Sequence, residues 1–148
     1  MFMWLLSQDR LQTRALLMQK NVIDQSTCEV CGQHEETQAH IFCSCGLASQ
    51  LWNCLGIDAP LQPDNVLSWP RQDMIPSEGF STFIALCCWQ LWKSRNEKVF
   101  RNQATGLHQL LQQCSAVSVQ WGFRLQPSKR HIVQAWEQAF ESARQGEG

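Results

Sequence analysis

No tyrosine occurs in the 148 residues, and neither sign of charge is in excess: 12 Lys and Arg stand against 13 Asp and Glu, a formal net charge of −1. The missing basic excess argues against a protein that grips nucleic-acid backbone over a broad surface, because each neutralised phosphate needs a cation. Any such role must rest on a local patch. Long apolar runs are missing too. No stretch approaches the ~20 apolar residues that cross a bilayer, so no membrane partner is expected. Residues 1–6 are apolar but lack a basic leader, which makes them a poor secretory signal. The expected compartment is therefore the reducing cytoplasm or nucleus, where thiols stay free or bind metal. Arg10, Arg14 and Lys20 on an amphipathic N-terminal helix keep a mitochondrial address as the alternative, with Asp9 counting against it.

A catalytic constellation is also lacking. His108 with Cys114, and His131 with Ser115, are arbitrary pairings on helix faces, and Asp9, Asp24, Asp58, Asp64 and Asp73 are scattered without the spacing of a two-metal site. No enzyme is expected.

What the chain does have is enough apolar content, 44%, for one domain with a real core. Seven tryptophans should anchor helix packing, since Trp buries a large surface with few torsions to freeze. The spacing of Leu5, Leu6, Asp9, Thr13, Leu16 and Leu17 predicts one N-terminal helix, with Ser7 capping a restart near Gln8 and the end near Lys20 and Asn21. Leu47, Ala48, Leu51, Trp52 and Leu55 predict a short helix closed by Gly56. Residues 57–78 hold four of the five prolines and read as a long irregular connection, with Trp69 stapling it to the core.

Three helical stripes follow. The first runs through Phe80, Phe83, Ile84, Cys87, Cys88, Leu91, Trp92 and Val99. Leu107, Leu110, Leu111, Cys114 and Trp121 make the second. Beyond Pro127 come Ile132, Val133, Ala135, Trp136, Ala139 and Phe140, with fraying expected from Arg144 onward. The predicted fold class is mostly α.

Between Asp24 and Cys45 the periodicity vanishes and Cys, His and small polar residues take over. Such a segment has too little apolar surface to hold itself, and a metal supplies what the core cannot. The pattern Cys28-x2-Cys31-x8-His40-x4-Cys45 offers two thiolates across a tight turn, aided by Gly32, and a second pair to complete a tetrahedron. Free core cysteines are the plainer reading, but Cys28 and Cys31 sit among Ser, Thr, Glu, Gly and Gln, where an isolated buried thiol makes little sense. Cys43 and His34 lie within reach of the same ion. Cys45 stands just before a helix start, which favours a thiolate there, whereas Cys43 reads as a packed thiol and His34 as a solvated loop residue.

Two blocks of the chain resemble a known family. Trp4-Leu5-Leu6, Arg10-Leu11, Thr13 and Leu17, followed by Cys28-x2-Cys31, Glu35-Glu36-Thr37, His40, Phe42, Cys45, Ala48 and Leu51-Trp52, resemble the zinc-binding domain of plant non-LTR (LINE-type) retrotransposon reverse transcriptases. The run from Cys88 to Phe100, with Trp89-Gln90-Leu91-Trp92-Lys93-Ser94-Arg95-Asn96, is similar to the segment that follows that domain. Glu29 and Gly46 stand where the family usually carries proline. The resemblance implies Cys28, Cys31, His40 and Cys45 as the ligands of one structural Zn2+, and a zinc-binding domain over 1–102 with a helical extension over 103–148 packed on it. It also implies an isolated fragment, shortened at its N-terminus, since the family's element begins further upstream and a ribonuclease H follows it.

Lys93, Arg95, Lys98 and Arg101 form the densest basic stretch and are the candidate nucleic-acid contacts, although cations also gather at helix C-termini to complement the dipole. The expected function is a non-catalytic zinc-stabilised module that binds another protein. The alternative partner is RNA or single-stranded DNA.

Overall fold

Apolar residues recurring every three or four positions become the long helices. The computed structural model describes residues 2–8, 10–60, 69, 75–123 and 125–147. Helix α4 (Phe80–Arg101) buries Phe80, Phe83, Ile84, Cys87, Cys88 and Leu91; α5 (Leu107–Gly122) buries Leu110, Leu111 and Cys114. A 3-10 turn, Pro127–Lys129, leads into α6 (Arg130–Glu147), which buries Ile132, Val133, Trp136, Ala139 and Phe140. Asn102, at φ 54°, closes α4 in the left-handed conformation. Helix α6 continues past the expected fraying point: Ala143 is buried, and Arg144 donates to Glu141 Oε2 at 2.8 Å and lies 3.3 Å from His108 Nε2.

Helices α5 and α6 pack against each other, and both meet α3 (Gly46–Leu55), which ends at Gly56 with φ 73°. Aromatic rings fasten the layer. Phe83 of α4 stacks on Phe140 at 5.1 Å and lies 5.8 Å from Trp136 of α6, while Trp136 meets Trp121 of α5 edge-on at 6.3 Å. On α3, Trp52 donates its indole N–H to the Phe42 carbonyl at 2.7 Å and packs edge-on against Trp69 at 4.8 Å. Trp69, 3% exposed, is the staple for the proline-rich connection. Residues 61–68 and 70–74 of that connection, including Pro63, Pro70, Asp64 and Asp73, lie outside the described residues, as does Asp9.

The N-terminal segment differs from expectation. It forms two short helices, α1 (Phe2–Ser7) and α2 (Arg14–Gln19), capped by Thr13 rather than Ser7. Side chains from the irregular stretch hold the break open. Gln38, 5% exposed, donates to the Leu6 carbonyl at 2.9 Å and accepts the Leu11 N–H at 3.1 Å. Glu36 accepts the Arg14 N–H at 2.8 Å, and Thr13 Oγ1 accepts that of Leu16 at 3.2 Å. These groups satisfy backbone donors that a continuous helix would have paired internally. Asn21, at φ 60°, follows the end of α2 as its residue type led one to expect.

Among the described residues there is no sheet; Thr27 and Glu35 form an isolated antiparallel bridge. No described helix is long and apolar enough to cross a membrane. The molecule is a small, mostly helical domain organised around a cluster of three cysteines and one histidine.

Candidate metal centre

The cluster is assembled from two local devices. The first is a folded-back loop: Cys28 donates its N–H to the His34 carbonyl at 2.7 Å, and Glu36 donates to the Ser26 carbonyl at 2.7 Å. At its tip, Gly32 donates to the Cys28 carbonyl at 2.8 Å with φ 71°, a left-handed conformation that a side chain would strain. This turn brings the sulfurs of Cys28 and Cys31 to one side.

The second device is a π-helical turn, His40–Ser44, begun by Thr37 Oγ1 accepting the His40 N–H at 3.1 Å. It closes with Cys45 N–H donating to the His40 carbonyl at 2.7 Å. In an α-helix, residues five apart diverge by about 140° around the axis. The wider turn, bonded from i to i+5, swings Cys45 back over His40. Cys45 then caps α3, its carbonyl accepting the Ser49 N–H at 2.8 Å.

The ligating atoms of Cys28, Cys31, His40 and Cys45 all lie within 4.8 Å of one another, with Cys31 Sγ 3.3 Å from His40 Nε2. Donors placed tetrahedrally at ~2.3 Å for sulfur and ~2.0–2.1 Å for nitrogen stand roughly 3.5–3.8 Å apart, so the donor set fits one zinc ion. Cys28, Cys45 and His40 are buried, and Cys31 is partly exposed.

The charges make the same point. A hydrogen bond from Cys45 holds the Cys28 thiol down to about 5, and the hydrogen bond to Cys28 together with burial pushes Cys45 well above the usual thiol range. Two such close sulfurs cannot both be charged at neutral pH without a cation between them. A divalent ion removes that conflict. Four protein ligands leave no position for water or substrate, so the site is structural.

Cys43 stands outside the cluster. It is half-buried, and burial pushes its thiol up to about 12. His34 is exposed, its ring 5.5 Å from that of His40.

A buried polar frame supports the cluster, and the sequence alone had not singled it out. Glu36, Gln38 and His40, alternate residues leading into the π turn, are all buried. Glu36 is fully buried and takes a two-point contact from Arg95 of α4, Nη2 to Oε1 at 2.7 Å and Nε to Oε2 at 3.1 Å. Arg95 also donates to the Gln12 carbonyl at 3.3 Å and lies 4.8 Å over the Trp92 ring. Lys93 is exposed, Lys98 reaches Asn102 Oδ1 at 2.8 Å, and Arg101 pairs with Glu97 at 3.3 Å. Of the four cations expected to contact nucleic acid, Arg95 is thus committed inside the fold.

Residues 1–52 match the family model described as zinc-binding in reverse transcriptase, and all four cluster residues fall within that span. No curated protein and no solved structure matches the chain. The N-terminal part is related to reverse-transcriptase zinc modules, and the chain is a small zinc-binding module rather than a catalytic domain.

Proposed function

We propose that this chain is a retroelement-derived, non-catalytic module of plant LINE-type ancestry, fixed by one zinc ion on Cys28, Cys31, His40 and Cys45, that acts inside the cell by binding another protein. The observation that carries the protein-binding choice is the burial of Arg95 against Glu36. It takes the central cation out of the densest basic stretch and leaves a surface of near-neutral charge. Exposed aromatic residues, Trp4, Phe100 and Phe123, supply apolar anchors of the kind protein partners use. Affinity capture with the full chain after nuclease treatment tests the choice: a stoichiometric protein is expected, and recovery of nucleic acid without protein overturns it.

A nucleic-acid-binding remnant is the second reading. It is favoured by the family match and by the solvent-exposed Lys93 and Arg101. It requires affinity for RNA or single-stranded DNA that falls steeply with salt and weakens when Lys93, Lys98 and Arg101 become Ala. Flat titrations at low salt end it.

A further inference from the structure

A cavity of about 550 Å³ opens between α4 and α5, closed at its vertex by residues 103–105. Gln90, Lys93, Ser94 and Glu97 line one wall at helical spacing, and Gln109 and Gln113 line the other. Gln90 sits on the buried face of α4, between Cys87 and Ser94, where a helix core ordinarily places an apolar residue. It is 1% exposed, and its Nε2 has no hydrogen-bond partner in the protein. A buried amide donor left unmet destabilises the fold, so the feature calls for an acceptor from outside the fold.

The walls narrow the choice of ligand. Lys93 and Glu97 cancel, so nothing draws a phosphate chain in, and among the described residues no aromatic ring lines the cavity to stack a base. What remains is a set of carboxamides, each offering N–H donors and a C=O acceptor that can pair with the N–H and C=O of a peptide group. Their spacing also fits. Gln109 and Gln113 lie one turn apart, a rise of ~6 Å, close to the ~6.6–6.8 Å between same-side carbonyls of an extended chain. We propose that this groove holds an extended, uncharged polypeptide segment through its main chain, with Gln90 Nε2 donating to one of its carbonyls. The assignment rests on the protein-binding reading above and locates it.

The test is a titration of the zinc-loaded full chain with the blocked peptide N-acetyl-trialanine amide, followed by NMR through the glutamine side-chain amides. The Gln90 amide and the backbone amides of Ser94 and Thr105 are expected to shift together at millimolar peptide. Gln90→Leu is expected to weaken binding at least tenfold while the melting temperature holds or rises, because an unmet donor has been removed. The surface variant Gln109→Ala/Gln113→Ala gives an independent check and is also expected to weaken it. Shifts confined to another face, unchanged affinity in both variants, or displacement of the same signals by adenosine monophosphate or inorganic phosphate but not by peptide would overturn the assignment. A protein captured equally by wild type and Gln90→Leu overturns the groove alone and leaves the protein-binding reading standing.

Discussion

Glu36 and Arg95, 59 residues apart in sequence, meet in a buried two-point ion pair with a shortest distance of 2.7 Å. Glu36 also accepts the Arg14 N–H through the same oxygen, and Arg95 reaches the Gln12 carbonyl. One pair therefore joins the start of α2, the segment leading into the π turn, and α4. Residues 1–52, which match the zinc-binding family, are locked to a helix outside that span.

Removing one partner strands a buried charge. Glu36→Ala or Arg95→Ala is expected to cost about 3–5 kcal/mol in denaturant unfolding. Arg95→Lys should recover little, since an ammonium cannot reproduce the two-point contact. Lys93→Ala, on the exposed face, is expected to stay within about 0.5 kcal/mol.

Metal removal should act on the fold rather than on any reaction. Chelation, Cys28→Ser and His40→Ala are each expected to lower helicity and melting temperature, at ~2–4 °C per kcal/mol lost for a chain of this size, because metal affinity is folding energy. Cys43→Ser should keep its zinc and lose only about 1 kcal/mol, as Cys43 lies outside the cluster. Equal loss of zinc in Cys43→Ser and Cys45→Ser, measured by elemental analysis, would break that distinction.

The expected pH dependence follows from the two linked thiols. Cys28 is lowered from 9.0 to about 5, so in the metal-free protein it contributes stability that is full above about pH 9 and lost as pH falls towards 5. Cys45 is raised, so its contribution is present below 9 and lost as pH climbs beyond it. Zinc uptake at neutral pH must then release protons, that of Cys45 among them, and affinity must fall on acidification. Calorimetry in buffers of different ionisation enthalpy reads the proton count. Uptake without proton release contradicts the assignment.

Thiol chemistry separates the two cysteine populations. Cys87, Cys88 and Cys114 are fully buried, and burial pushes the Cys87 and Cys88 thiols well above the ordinary range. Iodoacetamide on the native, zinc-loaded protein is expected to spare these three. Chelation should expose Cys28, Cys31 and Cys45 first, which mass spectrometry of the alkylated peptides can follow.

The legible parts of the sequence were those governed by local rules. Helical spacing marked α3 to α6, and Gly56 marked the end of α3, because both signals lie within a few residues of what they control. The cluster was readable from its Cys and His spacing, with Cys45 chosen over Cys43 by the family resemblance, and the loop and the π turn bring Cys28, Cys31, His40 and Cys45 within 4.8 Å of one another. The π turn was not readable: a one-residue widening leaves no periodic trace in five residues. Nor was the break between α1 and α2, which depends on Gln38 and Glu36 arriving from more than twenty positions away. Arg95 looked like part of a solvated basic stretch, because nothing near it in sequence announces a buried carboxylate. Long-range polar pairs have no local signature, and here they form the frame around the cluster.

X-ray absorption at the zinc edge on purified full-length protein is the most direct measurement. One zinc per chain is expected, with three sulfurs at ~2.3 Å and one nitrogen at ~2.0–2.1 Å. A shell dominated by oxygen or nitrogen, or a fully folded protein that carries no zinc, would contradict the assignment of Cys28, Cys31, His40 and Cys45.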